Sequence, residues 1–186
     1  MKKLISILTI FLIILSGCAD LNSPPNPDSN GVSKSLLKLP TPSSSLLSGF
    51  TTAQDINGSV GGSINIYHEY YDVNNHLIKI YGTLTIPQGA FSGTKNINIV
   101  VSSDFAMVDF FPSPTTFNVP LLLDLTYEGV NLNGIDEEDI DFYYIDGNSV
   151  DFIQINKGSK ECDSQLGKLS VVNAVVGHFS RFGWGV

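Results

Sequence analysis

Arginine is nearly missing from this sequence: Arg181 is the only one in 186 residues. Basic residues number 10 against 18 acidic ones, with no basic stripe. A phosphate backbone would be repelled by such a chain, which excludes nucleic acid as a partner. Cysteine is almost as scarce, with only Cys18 and Cys162 present. The three histidines, His68, His76 and His178, stand at none of the spacings that hold zinc. No stretch repeats its apolar residues with the period of an amphipathic helix. Around Ser180 the glycines stand at 177 and 183, the wrong spacing for a serine-hydrolase elbow. No pair of carboxylates is singled out for glycoside hydrolysis. Nothing in the chain calls for a cofactor.

What is present begins with an export signal. Lys2 and Lys3 precede an apolar segment, 4–15, interrupted only by Ser6 and Thr9. That segment is shorter than the about 20 residues of a permanent membrane helix, so it reads as a signal peptide, 1–17. The tetrad Leu15-Ser16-Gly17-Cys18 resembles the bacterial lipobox, in which small residues admit the peptide to its peptidase and the cysteine thiol carries diacylglycerol. The resemblance implies that Cys18 is the lipid attachment site and the N-terminus of a mature protein tied to membrane lipid, facing the periplasm or the cell exterior. Several acyl chains together give a stable anchor. Loss of Lys2 and Lys3 leaves 10 − 2 = 8 basic against 18 acidic residues, a net charge of −10. With Cys18 acylated, Cys162 has no intramolecular partner, and it reads as a turn residue in an otherwise staple-free fold.

Residues 18–48 form a Pro- and Ser-rich stretch with prolines at 24, 25, 27, 40 and 42. Such a segment buries too little apolar surface to offset its ordering entropy and is expected to be a disordered tether. Its coil-like reach is on the order of 30 Å and its contour on the order of 100 Å. Residues 49–186 are long enough for one domain with its own core, and the signals in it are nearly all β. Alternation over 63–70, a turn at Val73-Asn74-Asn75-His76 and a second run over 77–86 predict two paired strands. Further strands are expected over 96–102, 105–111 and 121–127, the last started by Pro120. Residues 141–145 and 150–155 flank Asp146-Gly147-Asn148-Ser149, a strong hairpin signal. The β-branched run 171–182 predicts one closing strand. The expected fold is an all-β antiparallel sandwich of about seven to nine strands.

Three segments in order then carry a family resemblance. Ile86-Pro87-Gln88-Gly89-Ala90-Phe91, the run from Phe111-Pro112 to Pro120-Leu121, and His178-Phe179-Ser180-Arg181-Phe182 resemble signature segments of the ZU-type domain of netrin receptors and ankyrins. Phe152 stands where that family carries a tryptophan after its hairpin. The resemblance implies a β-sandwich used as a passive module. The expected function is a non-catalytic structural or adhesive role, with a protein or glycan as partner.

Two other functions compete. In some members of that family, and in the nucleoporin autoproteolytic domain, a His-Phe-Ser sequence cuts itself. Ser180 Oγ lies one residue from the Phe179 carbonyl, so attack is intramolecular, with His178 the nearest base or oxyanion donor. The bland account is that Phe179 fills the core. The second alternative is a calcium- or glycan-dependent binding module. Aligning Gly134 with the glycine of a twelve-residue calcium loop puts Gly129 and Ile140 where carboxylates are required, so that template fails. A looser calcium site would use Asp136, Glu138 and Asp139. Tyr67, Tyr70, Tyr71, Tyr81 and Trp184 are the aromatic stock for glycan stacking, and a contiguous exposed patch of them would favour the binding module.

Overall fold

A computed structural model describes residues 34–44, 49–146 and 151–186. The export signal, Cys18, most of the tether, Leu46-Leu47 and the Gly147-Asn148-Ser149 turn lie outside the described residues. The fold is all-β, as expected, but more finely divided, with eleven strands among the described residues. They are β1 (Phe50–Asn57), β2 (Gly62–Tyr71), β3 (Leu77–Ile86), β4 (Thr94–Val101), β5 (Met107–Phe111), β6 (Thr116–Glu128), β7 (Asp141–Asp146), β8 (Asp151–Gln154), β9 (Ser159–Asp163), β10 (Lys168–His178) and β11 (Arg181–Gly185). Two antiparallel sheets share one core, a six-stranded β1-β4-β5-β11-β7-β8 and a five-stranded β2-β3-β6-β10-β9.

Alternation sets the inner face of each sheet. In β2 and β3 the residues Ile64, Ile66, Ile78, Ile80 and Leu84 are buried while Asn65, Tyr67, Tyr81 and Thr85 face water. The turn between them is built by Asp72, whose Oδ1 accepts from the backbone N–H groups of Asn74 (2.8 Å) and His76 (2.7 Å). Asn75 takes a positive φ of 63°, a conformation that asparagine tolerates better than most residues.

Pro120 does not start β6; it lies inside that strand. Opposite β10 the register jumps from Val176↔Leu121 to His178↔Thr116, so Pro120 falls in an irregular stretch where its missing N–H costs no ladder bond. The Phe111-Pro112 and Ser113-Pro114 bonds are cis.

The expected single strand 171–182 is two strands. β10 runs in the five-stranded sheet and β11 in the six-stranded one, and Phe179-Ser180 is the step between them. β11 fills the centre of its sheet, pairing β5 through Arg181–Gly183 and β7 along its full length. β10 also carries a bulge between Val171 and Ala174, where Asn173 takes a φ of 53° and its N–H donates to Asp124 Oδ1 at 2.7 Å.

The folded unit also starts earlier than residue 49. Residues 34–44 form a strap across one end of the sandwich. Ser35 exchanges backbone bonds with Val186, Leu37 N–H donates to Trp184 O, Ala106 N–H donates to Leu37 O, and Ser43 N–H donates to Tyr71 O. Leu37 and Leu39 are buried in the core. Composition marked this stretch as a tether because prolines 40 and 42 cannot join a regular ladder, but two leucines spaced by two reach the core from an extended backbone.

Candidate functional site

Phe179 is fully buried, its ring 5.9 Å from Phe110 and 4.8 Å edge-on to Phe117. Both sides of the Phe179-Ser180 bond are tied down. Phe179 N–H donates to Thr115 O at 2.8 Å, and Ser180 O accepts from Phe110 N–H at 2.9 Å. The Phe179 carbonyl accepts a hydrogen bond from the Ser113 hydroxyl at 2.9 Å. Ser180 lines a cleft of about 180 Å³ with Ser113, Asp109 and Arg181. Arg181 closes one side through a forked contact to Asp109, Nε to Oδ1 at 2.9 Å and Nη2 to Oδ2 at 3.4 Å.

His178 sits elsewhere in this arrangement. Its ring meets Tyr144 edge-on at 4.8 Å and Phe182 at 6.4 Å, and among the described residues no hydrogen bond joins it to Ser180. The group placed on the carbonyl is Ser113, which motif reading missed. It stands far away in sequence and is brought in only because β5 and β11 pair. Strict alternation also fails here. Ser180 and Arg181 are both half-exposed between the buried Phe179 and Phe182, because the chain changes sheets at this point.

In the acidic loop 131–139, Asp136 is spent on the loop's own backbone and Glu137 on the β9–β10 turn. Asp136 Oδ1 accepts from Glu138 N–H at 3.0 Å, and Glu137 Oε1 accepts from Ser164 N–H at 2.7 Å. The hydroxyl and N–H of Ser164 hold the Glu137 carboxyl below the usual range. Asp136, Glu138 and Asp139 are not gathered into a cage, and among the described residues no three His, Cys, Asp or Glu side chains form a metal-holding group. Cys162 is not a turn residue. It lies in β9 opposite Leu169, half-buried against the core, and burial pushes its thiol up to about 11.

The aromatic stock divides cleanly. Trp184 is fully buried and edge-on to Phe142 at 5.3 Å. Tyr70 is buried, its hydroxyl donating to Pro40 O at 2.9 Å, and burial raises its pKa to about 12. Tyr67, Tyr71 and Tyr81 remain, exposed by 59, 52 and 36% on the outer face of the five-stranded sheet. Tyr67 and Tyr81 are direct cross-strand partners. The Tyr67 hydroxyl donates to Glu69 Oε2 at 2.6 Å, and the Tyr81 hydroxyl donates to Glu128 Oε1 at 2.7 Å. Those carboxylates hold the phenolic protons in place and raise both pKa values. Around the rings the same face presents Asn65, Thr83, Thr126 and Ser170, the last two hydroxyls bonded to each other at 2.8 Å.

No protein-family model matches this chain, and neither a curated protein nor a solved structure is significantly similar to it.

Proposed function

We propose that this chain is a membrane-anchored extracytoplasmic lipoprotein, held by acylated Cys18, whose ZU-like β-sandwich recognises a protein or glycan partner without chemical turnover. One observation carries the recognition role: Tyr67, Tyr71 and Tyr81 stand exposed together on one sheet face, with two hydroxyls pinned by Glu69 and Glu128. Isolated exposed apolar residues are ordinary on a protein surface, whereas grouped rings mark contact surfaces. Rings whose rotation is already restricted lose less entropy when a partner stacks on them. The anchor rests on the lipobox sequence alone, and metabolic labelling with palmitate, present in the natural chain and lost in Cys18→Ser, tests it. Recognition is tested by retention of the mature protein on cell-envelope and extracellular polymer fractions. Equal retention of the Tyr67→Ala/Tyr81→Ala double variant defeats the assignment to this face.

A second function is favoured by the hydrogen bond from Ser113 to the Phe179 carbonyl. Ser180 Oγ would attack that carbonyl carbon, the Phe179-Ser180 C–N bond would break, and the hydroxyl proton would pass to the departing amine. The resulting ester would then be hydrolysed by water. Ser113 would stabilise the oxyanion in that step. The segment from Ser180 to Val186 would stay in place through the β5 and β7 ladders. Intact mass under denaturing conditions, with and without hydroxylamine, decides. Loss of the Ser180 to Val186 mass in the natural chain but not in Ser180→Ala establishes self-cleavage, and an intact chain in both removes it.

A further inference from the structure

One end of the sandwich holds a cleft of about 760 Å³. Two jaws form it. In the first, the strap is locked to the β2–β3 turn by a bond from Val73 N–H to Thr41 O at 3.1 Å. In the second, the β6–β7 loop is locked to the β9–β10 turn by a bond from Val130 N–H to Gly167 O at 2.9 Å. Gly129 seats the second jaw against Leu77 of β3, and Gly167 packs within the jaw against Val130. Their φ values are +81° and +60°, and a Cβ at either would press within 2.5 Å of a backbone oxygen. The cleft is therefore set before any ligand arrives, which lowers the entropic cost of binding.

The chemistry of the lining selects the ligand. Side-chain amides dominate it: Asn74 from the first jaw, Asn131, Asn133 and Gln165 from the second. Each can donate and accept at once, the combination that adjacent hydroxyls of a sugar ring require. Leu166 and Val73 add aliphatic surface, one from each jaw. They expose 69 and 64% of their area, more than any other described large hydrophobic residue except Val60. Charge is nearly absent. Asp72 is the only carboxylate in the lining, and it is already occupied by two backbone N–H groups and by His76 Nδ1 at 3.5 Å. Lys38 is the only lysine there. In a mature chain of net charge −10, a cleft without a free carboxylate or a cationic cluster suits neither a basic peptide nor an anionic polymer.

We infer that this end cleft is a binding site for an uncharged oligosaccharide, its hydroxyls held by Asn74, Asn131, Asn133 and Gln165 and its C–H face laid on Val73 and Leu166. The inference rests on the proposed recognition role and gives it a ligand class. A second depression of about 370 Å³ at Lys79, Glu128 and Lys168 shares Gly129 and Leu166 with the cleft and opens toward the tyrosine face. A linear glycan longer than the cleft has a path from one surface to the other.

The test is titration of the full ¹⁵N-labelled chain, solubilised in a sugar-free detergent, with neutral hexasaccharides of glucose, N-acetylglucosamine, mannose and galactose. Hexagalacturonate serves as the charged probe. At least one neutral hexamer should saturably shift the side-chain amides of Asn131 and Asn133 at millimolar concentration or below, while hexagalacturonate leaves them in place. Asn133→Ala with Gln165→Ala should weaken that binding about tenfold, as expected for two lost neutral hydrogen bonds. Both loops survive the change, because each residue's own structural bond is made by its backbone N–H, to Asn131 and Asp163 respectively. No shift with any neutral hexamer, equal binding of hexagalacturonate, or unchanged affinity in the double variant overturns the site. The tyrosine face is separable. Sugar binding lost in Tyr67→Ala/Tyr81→Ala but kept in Asn133→Ala/Gln165→Ala moves the ligand to the sheet and refutes the cleft alone. Sugar binding in the cleft with unaltered envelope retention of the tyrosine variant refutes the face alone.

Discussion

Leu37→Ala tests whether the strap belongs to the folded domain. Leu37 is only 3% exposed and sits in the core, with its N–H on Trp184 O and its carbonyl on Ala106 N–H. Truncating a buried leucine costs about 2–5 kcal/mol, more where the site cannot collapse. Backbone bonds on both sides of Leu37 resist collapse, but the strap lies at the rim of the core rather than its centre, so a loss of about 2–3 kcal/mol is expected. With a urea m-value of about 2 kcal/mol/M, the unfolding midpoint falls by roughly 1–1.5 M. Lys38→Ala is the control: it is exposed, and its effect should stay within about 0.5 kcal/mol. Equal midpoints for Leu37→Ala and Lys38→Ala would refute the docked strap and return residues 34–44 to the tether.

Phe179→Ala should be the harsher change, costing about 3–5 kcal/mol by emptying the space between Phe110 and Phe117. A fall in urea midpoint no larger than that of Leu37→Ala would show that Phe179 is not central to the core. Cys162, with its thiol raised to about 11 by burial, should react with a thiol reagent at pH 8 at least about tenfold more slowly than free cysteine, and comparable rates would place it at the surface. Hydrogen bonds from the His76 and Asn74 N–H groups lower the pKa of Asp72 in the folded state. The unfolded chain therefore binds more protons near the carboxylate range, and the stability Asp72 supplies is complete above about pH 4 and lost as pH falls through its folded value. Urea midpoints measured from pH 6 down to pH 2 should fall less steeply for Asp72→Asn than for the natural chain, and parallel curves would contradict that coupling. The Tyr127 hydroxyl is buried with no protein partner among the described residues. Tyr127→Phe should therefore unfold at the same urea concentration or higher, and a loss of more than about 1 kcal/mol would reveal a bond the hydroxyl makes.

Much of the architecture was legible from local pattern. Alternation over 63–70 and 77–86 and the asparagine turn between them are β2, β3 and their connection, because a period of two and a residue tolerant of positive φ are properties of short windows. The Asp146-Gly147 signal likewise lies between β7 and β8, which pair from Tyr143↔Gln154 to Asp146↔Asp151. What local pattern cannot encode is the sheet to which a run belongs. Residues 171–182 read as one strand because both halves are apolar and β-branched, yet β10 and β11 lie in different sheets. The same blindness placed Pro120 at a strand start and left residues 34–44 in the tether.

For the site the division is sharper. The sequence by itself determined the amino-acid stock: the lipobox cysteine, the His178-Phe179-Ser180 run, the tyrosines and the amide-rich loops. Tertiary structure alone decided how that stock is used. It buried Phe179 and Trp184, set Ser113 rather than His178 against the Phe179 carbonyl, and left Tyr67, Tyr71 and Tyr81 together in water. It also brought four loops, separated by long stretches of chain, around one cleft. The physical reason is that strand pairing and the backbone bonds at the strand ends join residues by register and not by proximity in sequence.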